Sequence, residues 1–283
     1  MIGWIKMVEK DNSVMSLEQV YEDSNKQLET INLLLSMPSK LILVSGPESS
    51  GKTTTLYAML NALKSQERRG IVSIESTIEQ KLDGVNQIEI GSSYPIPLVD
   101  VLKSYLRTDP DVVAVDYGAH DLDLDTANLM INAALMGHLV ISTFYTEGSS
   151  INAIERVLGL KEKEDSHLIA AALLGITNQR LVRKLCGDCK EEYRPTQEEL
   201  RSVGLGLDSG TFYIPKGCET CQTGYAGITA VHEVLAIDRA ARYAIASNTI
   251  EAIKPGKTLF QNGLEKAMAG TITLGDAAYL KPS

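Results

Sequence analysis

The sequence predicts an α/β fold in which a mainly parallel sheet is flanked by helices. From about residue 41 to residue 185, short apolar runs alternate with stretches whose apolar side chains recur at helical spacing. A glycine-rich loop stands between the first apolar run and the first helical stretch, and four cysteines follow later as two C-x-x-C pairs. The predicted strands are residues 41–45, 71–75, 86–90, 112–115 and 139–143.

Composition limits the class of protein. The 283 residues allow one large domain or two smaller ones, and a hydrophobic content of 44% predicts a globular chain. No apolar run reaches the length of a membrane span, and charges at Lys6, Glu9 and Lys10 interrupt any signal-peptide pattern, so we expect a cytoplasmic protein. A net charge of −9 predicts no nucleic-acid partner and disfavours a DNA translocase.

The N-terminal segment, residues 1–39, is predicted to contain one helix that leads into the core. Apolar side chains recur in it at helical spacing, and Pro38 is placed to end the helix. These apolar residues are Leu28, Ile31, Leu34 and Leu35. The α/β core is predicted to span residues 40–185.

Residues 46–53 read Gly-Pro-Glu-Ser-Ser-Gly-Lys-Thr, which is a G-x-x-x-x-G-K-T phosphate-binding loop. Its glycines let the backbone curl so that N–H groups point at phosphate oxygens. Lys52 would supply charge for the β- and γ-phosphates, and the Thr53 hydroxyl would be a Mg²⁺ ligand. A chance match in a turn is the alternative, which the flanking strand and helix disfavour. The predicted nucleotide-binding residues are Gly46, Ser49, Ser50, Gly51, Lys52, Thr53 and Thr54.

Two of the predicted strands end in an acid. Asp116 follows the apolar run 112–115 and resembles the end of a Walker B strand, which holds Mg²⁺. Glu75 ends the run 71–75, and the carboxyl ends of parallel strands meet at one edge of a sheet. Glu75 and Asp116 are therefore the predicted catalytic residues, with Glu75 the first candidate for positioning the attacking water. A solvated strand end is the alternative for Glu75.

Two further helices are predicted in the core. Asp125 stands before a helix that runs to Met136, and Gly137 is placed to end it. A second helix is predicted over about residues 150–158.

The four cysteines predict a structural zinc site. Two C-x-x-C pairs separated by 28 residues suit a tetrahedral Cys₄ site that leaves no position open for catalysis. A redox C-x-x-C and four unrelated buried thiols are the alternatives. The predicted ligands are Cys186, Cys189, Cys218 and Cys221, within an insert spanning residues 186–222. No histidine is needed as a ligand, and a structural role is expected for His120, His138, His167 and His232.

Residues 223–283 are predicted to form a mainly helical C-terminal subdomain. One helix is expected to include Leu264–Met268 and to stop at Gly270, and a last helical turn is expected from Thr273.

Several blocks of the chain resemble the C-terminal motor domain of the type II secretion and type IV pilus assembly ATPases. The resemblance runs from about residue 41 to the C-terminus and includes Walker A, an acidic "Asp box", Walker B, a "His box" and a tetracysteine region. The blocks are residues 46–57, 74–79 with 84–87, 106–113, 133–143, 179–186 and 217–225. The resemblance implies a RecA-like P-loop core.

The resemblance also implies a function. Such proteins are ATP-hydrolysing motors that use ATP, Mg²⁺ and Zn²⁺ and form homo-hexamers on the cytoplasmic face of the inner membrane. Their partner is an inner-membrane platform protein, and their membrane association is peripheral. Retraction ATPases of this superfamily typically lack the zinc region, so the resemblance favours the assembly or secretion branch.

The chain departs from the family pattern at chemically important positions. The stretch Asp116–Asp125 lacks the Glu and Arg of the family's Walker B, and Ser76 replaces an acid of the Asp box. Tyr145 replaces the second histidine of the His box, and it can donate a hydrogen bond without carrying charge at neutral pH. Gly227-Ile228 stands where a Gly-Arg pair is usual, whereas His138 lies where a histidine is expected.

These departures leave two hypotheses open. In the first, another acid, Asp116 or Asp121, takes over and the chain is an ATPase with reduced activity. In the second, the chain is a hydrolysis-impaired nucleotide-binding scaffold of the same machinery. The large domain that precedes the family's motor domain is expected to be absent or reduced to a fragment.

Overall fold

The computed structural model describes residues 14–66, 70–90, 96–118, 123–160, 165–206 and 210–281. Over these residues, seven strands form one sheet in the order β3-β2-β4-β5-β1-β6-β9, and two short strands pair separately. The strands of the main sheet are β1 (Lys40–Gly46), β2 (Ile71–Glu75), β3 (Asn86–Glu89), β4 (Val112–Asp116), β5 (Leu139–Tyr145), β6 (Leu173–Leu185) and β9 (Tyr225–Ala236). The separate pair is β7 (Glu191–Tyr193) and β8 (Phe212–Ile214).

Strands β1 to β6 are parallel to their neighbours, and β9 runs antiparallel to β6. Because parallel strands point the same way, their carboxyl ends meet at one edge. Glu75 pairs with Asp116 and Gly46 with Tyr145 at that edge. The fold thus gathers residues distant in sequence beside the glycine-rich loop.

Helices cover both faces of the sheet. They are α1 (Leu17–Val20), α2 (Asn25–Ser36), α3 (Lys52–Lys64), α4 (Leu98–Leu106), α5 (Leu124–Met136), α6 (Ser150–Gly159), α7 (Ser166–Ala172), α8 (Gln197–Ser202), α9 (Arg239–Ala246), α10 (Leu259–Met268) and α11 (Leu274–Ala278). A 3₁₀ turn spans Ile250–Ala252. In the described part of the chain, no helix is both long enough and apolar enough to cross a bilayer.

Alternation along β1 shows how the two faces are filled. Leu41 and Leu43 belong to an apolar cluster with α4, α5, α6, α7 and α9, whereas Ile42 and Val44 belong to a second cluster with α1, α2 and α3. Successive side chains of a strand point to opposite faces, so a strand covered on both faces is apolar throughout. This explains why the central strands have no polar alternation.

The five predicted strands are confirmed to within two residues at either end. Strands β6 and β9 were not predicted, because polar residues interrupt their apolar pattern. β6 contains Asn178, Gln179 and Arg180 in succession, and β9 contains His232 and Glu233. Both strands lie at or next to the sheet edge where the insert and the C-terminal helices pack.

The predicted helices are confirmed with corrections at their ends. Asp123 rather than Asp125 caps α5, since its side chain accepts from Thr126 N at 2.8 Å, and Gly137 ends that helix as expected. The helix predicted around residues 264–268 begins earlier, at Leu259. Thr273 caps α11, which is the predicted last turn.

The cysteine-rich insert and the C-terminal helices share an apolar cluster. Phe212 of the insert is fully buried in it, together with Val231 of β9 and Ala267 of α10. The part after residue 223 therefore supplies a strand of the main sheet as well as helices. The domain boundaries at 185/186 and 222/223 stay predictions.

The turn between α1 and α2 packs against the C-terminal part. The Tyr21 ring stacks on buried His232 with centroids 4.2 Å apart, and its hydroxyl donates to Thr177 Oγ1 at 3.0 Å. Buried Lys266 donates to the Glu22 carbonyl oxygen. We call residues 21–24 the N-terminal turn.

Candidate functional site

The glycine-rich loop after β1 adopts backbone conformations that favour glycine. Gly46 has φ +152° and Gly51 has φ +86°, and Ser49 also lies at positive φ, +55°. A Cβ atom on Gly46 would lie 2.5 Å from Ser50 Oγ and 2.7 Å from the Gln179 carbonyl oxygen. Gly51 is the N-terminal cap of α3, so the helix begins directly at Lys52.

Lys52 lies across this loop. Its Nζ donates to the carbonyl oxygens of Pro47 at 2.7 Å and Gly46 at 3.3 Å. Burial lowers the pKa of Lys52, and the nearby Asp116 and Glu48 carboxylates partly oppose that shift. The ammonium group is thus poorly solvated and lies where an anion would gain from its charge.

Thr53 and Asp116 meet at the carboxyl edge of the sheet. Thr53 Oγ1 donates to Asp116 Oδ2 at 2.7 Å. Asp116 Oδ1 accepts from Thr143 Oγ1 at 2.7 Å and from Gly118 N at 3.1 Å. A hydroxyl and a carboxylate side by side are the oxygen ligands that suit Mg²⁺ at a phosphate site. These residues fit the ion that the sequence predicts.

Glu75 has a different environment from Asp116. Its side chain is fully buried, and its carboxyl oxygens accept from Gln87 Nε2 at 3.0 Å and from Tyr57 Oη. Its strand end is therefore not solvated, which removes the alternative considered for this residue. Among the described acids, Glu79, four residues after Glu75, lines the loop's cavity together with Asp116 and Glu48.

The loop opens on a cavity of about 390 Å³. All the predicted nucleotide-binding residues except Gly46 line it. The lining consists of Glu48, Ser49, Ser50, Gly51, Lys52, Thr53, Thr54, Glu79, Asp116, Gly118 and Leu181. A second cavity, of about 590 Å³, shares Gly51, Thr54 and Leu181 with the first and extends to α1 and β9. The two cavities therefore adjoin at the start of α3.

Gln179 on β6 stabilises the loop through two side-chain hydrogen bonds, and no motif predicted this role. Its Oε1 accepts from Thr55 Oγ1 at 2.9 Å, and its Nε2 donates to the Ser50 carbonyl oxygen at 2.8 Å. The side chain is buried, so both bonds are shielded from water. The signal for it in the sequence was its place in the resembling block 179–186.

Tyr145 and His138 lie at opposite ends of β5. Tyr145 is beside the loop, since it pairs with Gly46, and its hydroxyl donates to Glu147 Oε1 at 2.6 Å. That bond raises the pKa of Tyr145. The His138 ring, by contrast, bonds the Pro110 carbonyl oxygen through Nδ1 at 2.7 Å, just before β5 begins. His138 therefore has a structural contact far from the loop.

Asp121 and His120 lie outside the described residues. His167 lies on α7, and His232 is buried beneath the N-terminal turn. None of the described histidines lies in the cavity lined by the glycine-rich loop.

The four cysteines converge on one point. Their Sγ atoms all lie within 4.8 Å of one another, with Cys189 and Cys221 at 3.4 Å and Cys218 and Cys221 at 3.5 Å. None is in a disulfide. Four thiolates bound tetrahedrally to zinc at 2.3 Å would have sulfur atoms about 3.8 Å apart. The cluster therefore fits a zinc ion held by Cys186, Cys189, Cys218 and Cys221.

Comparison with known proteins places the chain in a family. The family described as type II/IV secretion system protein matches residues 4–278. The type II secretion system protein E of Dickeya dadantii is 38% identical over 280 residues, which are 95% of this chain and 54% of that protein. The type IV pilus assembly ATPase PilB of Thermus thermophilus is 35% identical over 254 residues, 85% of this chain and 28% of that protein.

A solved structure shows the same fold. The pilus retraction motor PilT, crystallised with bound ADP, superposes with a TM-score of 0.71 at 24% identity, covering 96% of this chain and 68% of that one. The P-loop ATPase fold predicted from the sequence is thereby confirmed. The chain spans about half the length of the type II secretion relatives it matches. The motifs and these comparisons agree, and the chain belongs to the type II/IV secretion system protein family.

Proposed function

We propose that the chain is an ATP-binding and ATP-hydrolysing motor subunit of type IV pilus assembly or type II-like secretion. The observation that carries the proposal is the contact between Thr53 Oγ1 and Asp116 Oδ2 at 2.7 Å, at the mouth of a complete phosphate-binding loop. In phosphoryl transfer, this pair of side chains is the usual protein part of a Mg²⁺ site. The family membership supports the same activity.

Each residue of the site has a proposed role. Backbone N–H groups of the loop and Lys52 bind the phosphates, and Thr53 and Asp116 hold Mg²⁺, which would neutralise charge on the transferred phosphoryl group. The candidates for orienting the attacking water are Glu75 and Glu79. Glu79 lines the cavity, whereas Glu75 is fully buried, so the geometry favours Glu79 for direct contact.

The adjoining 590 Å³ cavity would receive the nucleoside. It shares Thr54 with the first cavity, and its lining includes the apolar residues Met15, Leu181 and Ile228. An adenine ring buries apolar area, so this lining suits it better than the polar loop does.

The proposed assembly rests on the resemblance to the secretion and pilus ATPases. It would be a ring-shaped homo-hexamer, and its partner would be an inner-membrane platform protein. Zinc would stabilise the insert rather than act in catalysis, because four thiolates fill its coordination sphere.

A second candidate is a nucleotide-binding scaffold that hydrolyses little. It is favoured by Tyr145, which stands beside the loop in place of a histidine, and by Ser76 in place of an acid. A missing cationic partner can cost about 10³–10⁵ in the rate of phosphoryl transfer.

Steady-state ATP hydrolysis, together with ATP binding by calorimetry, tests the proposal. The variants are Lys52→Ala, Asp116→Asn, Glu75→Gln and Glu79→Gln, with Lys103→Ala as an exposed control. We expect Lys52→Ala to lose binding, and Asp116→Asn to lose turnover by about 100-fold or more. Undiminished ATP binding by Lys52→Ala would refute the nucleotide site. Tight binding without turnover in the parent would refute the motor and support the scaffold.

A further inference from the structure

The segment that follows β2, residues 76–82, is held by the side chains of Tyr57, which is buried, and Gln87, which is half-buried. Glu79 N donates to Tyr57 Oη at 3.1 Å. Gln87 holds the segment at two more points, since its Nε2 donates to the Gln80 carbonyl oxygen at 3.0 Å and its Oε1 accepts from Leu82 N at 2.7 Å. These bonds hold the backbone at Glu79 and at Gln80 and Leu82, which follow it.

Both of these side chains converge on Glu75. The Tyr57 hydroxyl donates to Oε2 of Glu75, and Gln87 Nε2 donates to Oε1 at 3.0 Å. Glu75 is 0% exposed and Tyr57 is 3% exposed. Burial, reinforced by the bond to Glu75, raises the pKa of Tyr57, so its hydroxyl stays protonated at neutral pH. Hydrogen bonds in such a dry network are strong and directional.

Tyr57 also links this segment to the phosphate loop. It lies four residues after Thr53 on α3, so the two side chains share one face of the helix. Thr53 bonds Asp116, and Glu79 lines the same cavity as Lys52 and Asp116. A displacement of α3 would therefore shift the backbone of Glu79 through the Tyr57 hydroxyl.

We propose that Tyr57 and Glu75 form a positioning pair that sets Glu79 against the phosphate cavity. Glu75 acts through Tyr57 rather than on the attacking water. This inference rests on the proposed function, because it assigns a role to the acid that faces the transferred phosphate.

The rival explanation is that Tyr57 is ordinary core packing. Tyr57→Phe separates the two, since it keeps the buried ring and removes only the hydroxyl. The segment would keep its two bonds to Gln87 and two further anchors, because Ser76 N donates to the Asp116 carbonyl oxygen at 2.9 Å and Ile78 N to Glu89 Oε2 at 2.8 Å. The variant is thus expected to fold.

The experiment compares the parent, Tyr57→Phe, Glu79→Gln and the double variant, with Tyr243→Phe at an exposed side chain of α9 as the matched control. Hydrogen–deuterium exchange of residues 76–82 and kcat and KM for ATP are measured on each. For Tyr57→Phe we expect faster exchange in 76–82 and a fall in kcat of about 10- to 100-fold with KM little changed. The double variant should be no slower than Glu79→Gln alone, because both changes remove one function.

Unchanged exchange in Tyr57→Phe would overturn the tether. Faster exchange with unchanged kcat, or additive losses in the double variant, would overturn the positioning role. A parent without turnover would refute the motor proposal, whereas the exchange measurement would still decide whether Tyr57 holds the segment.

Discussion

Gly46 occupies a position where a single added carbon has no room. Its Cβ would meet both Ser50 of the loop and the carbonyl oxygen of Gln179 on β6, and its φ of +152° is unfavourable for any other residue. Gly46 is therefore packed between the Ser50 hydroxyl of the loop and the backbone of β6. Its shape is fixed by sterics before any ligand binds.

We expect Gly46→Ala to weaken ATP binding by about 10- to 100-fold, since strain of this kind costs about 1–3 kcal/mol. Calorimetric titration with ATP measures the change. Gly159→Ala is the matched control, because nothing lies within 4 Å of a Cβ atom at that helix end. Equal affinities for the two variants would show that the loop tolerates the added methyl group.

We expect the insert between β6 and β9 to depend on its four cysteines. Its apolar content is small, and Phe212 is the large side chain that it buries completely. A segment of this kind gains much of its order from a bound metal.

We expect about one zinc per chain by elemental analysis of protein prepared without chelator. Removing the metal should lower the Tm, and Cys186→Ser should lower it similarly because it deletes the most buried ligand. A chelator should then have little further effect on Cys186→Ser. Absence of metal in the parent, or a Tm indifferent to chelation, would refute the zinc site.

Strands were predictable where both faces are covered. β1, β4 and β5 each contain three or four consecutive apolar residues because helices bury them on either side. β6 does not, because it contains two polar residues that bond loops: Asn178 donates to the Gly148 carbonyl oxygen, and Gln179 donates to the Ser50 carbonyl oxygen of the phosphate loop. These polar side chains interrupt the apolar pattern from which a buried strand is predicted.

As with the strands, only some residues of the candidate site could be predicted from the sequence. Lys52 and Thr53 are adjacent in a motif, and Asp116 followed from the rule that parallel strands end at one edge. Gln179 and Gln87 were not predicted as parts of it. Gln179 bonds Ser50 across 129 residues, and no local spacing reports such a pair. The burial of Glu75 was equally invisible in sequence.

The N-terminal turn packs on residues that come much later in the chain, on β6, β9 and α10. His232 lies under Tyr21 at 0% exposure, and its ring nitrogens have no hydrogen-bond partner among the described residues. Burial, with a smaller effect of Lys266, lowers the pKa of His232 to about 3. In the unfolded chain this pKa is about 6.5. The folded chain therefore keeps the ring neutral where the unfolded chain takes up a proton.

Stability should thus fall as the pH drops below about 6.5, by about 2 kcal/mol between pH 7 and pH 5 from this one residue. Urea unfolding of the parent and of His232→Phe at both pH values measures it. The variant should lose about 2 kcal/mol less than the parent over this range. His167→Gln, a change at an exposed histidine, should lose as much as the parent. Equal losses in all three proteins would refute the assignment.

The contacts of the N-terminal turn can form only after distant parts of the chain have been made. Tyr21 bonds a residue 156 positions away, Ser24 bonds Asn262 across 238 positions, and Glu22 meets Lys266 across 244. During synthesis from the N-terminus, these residues are made long before their partners. Contacts so distant along the chain form only after long loops have closed. The growing chain therefore carries Tyr21 without its partners until β9 has been made, and Glu22 and Ser24 without theirs until α10 has been made.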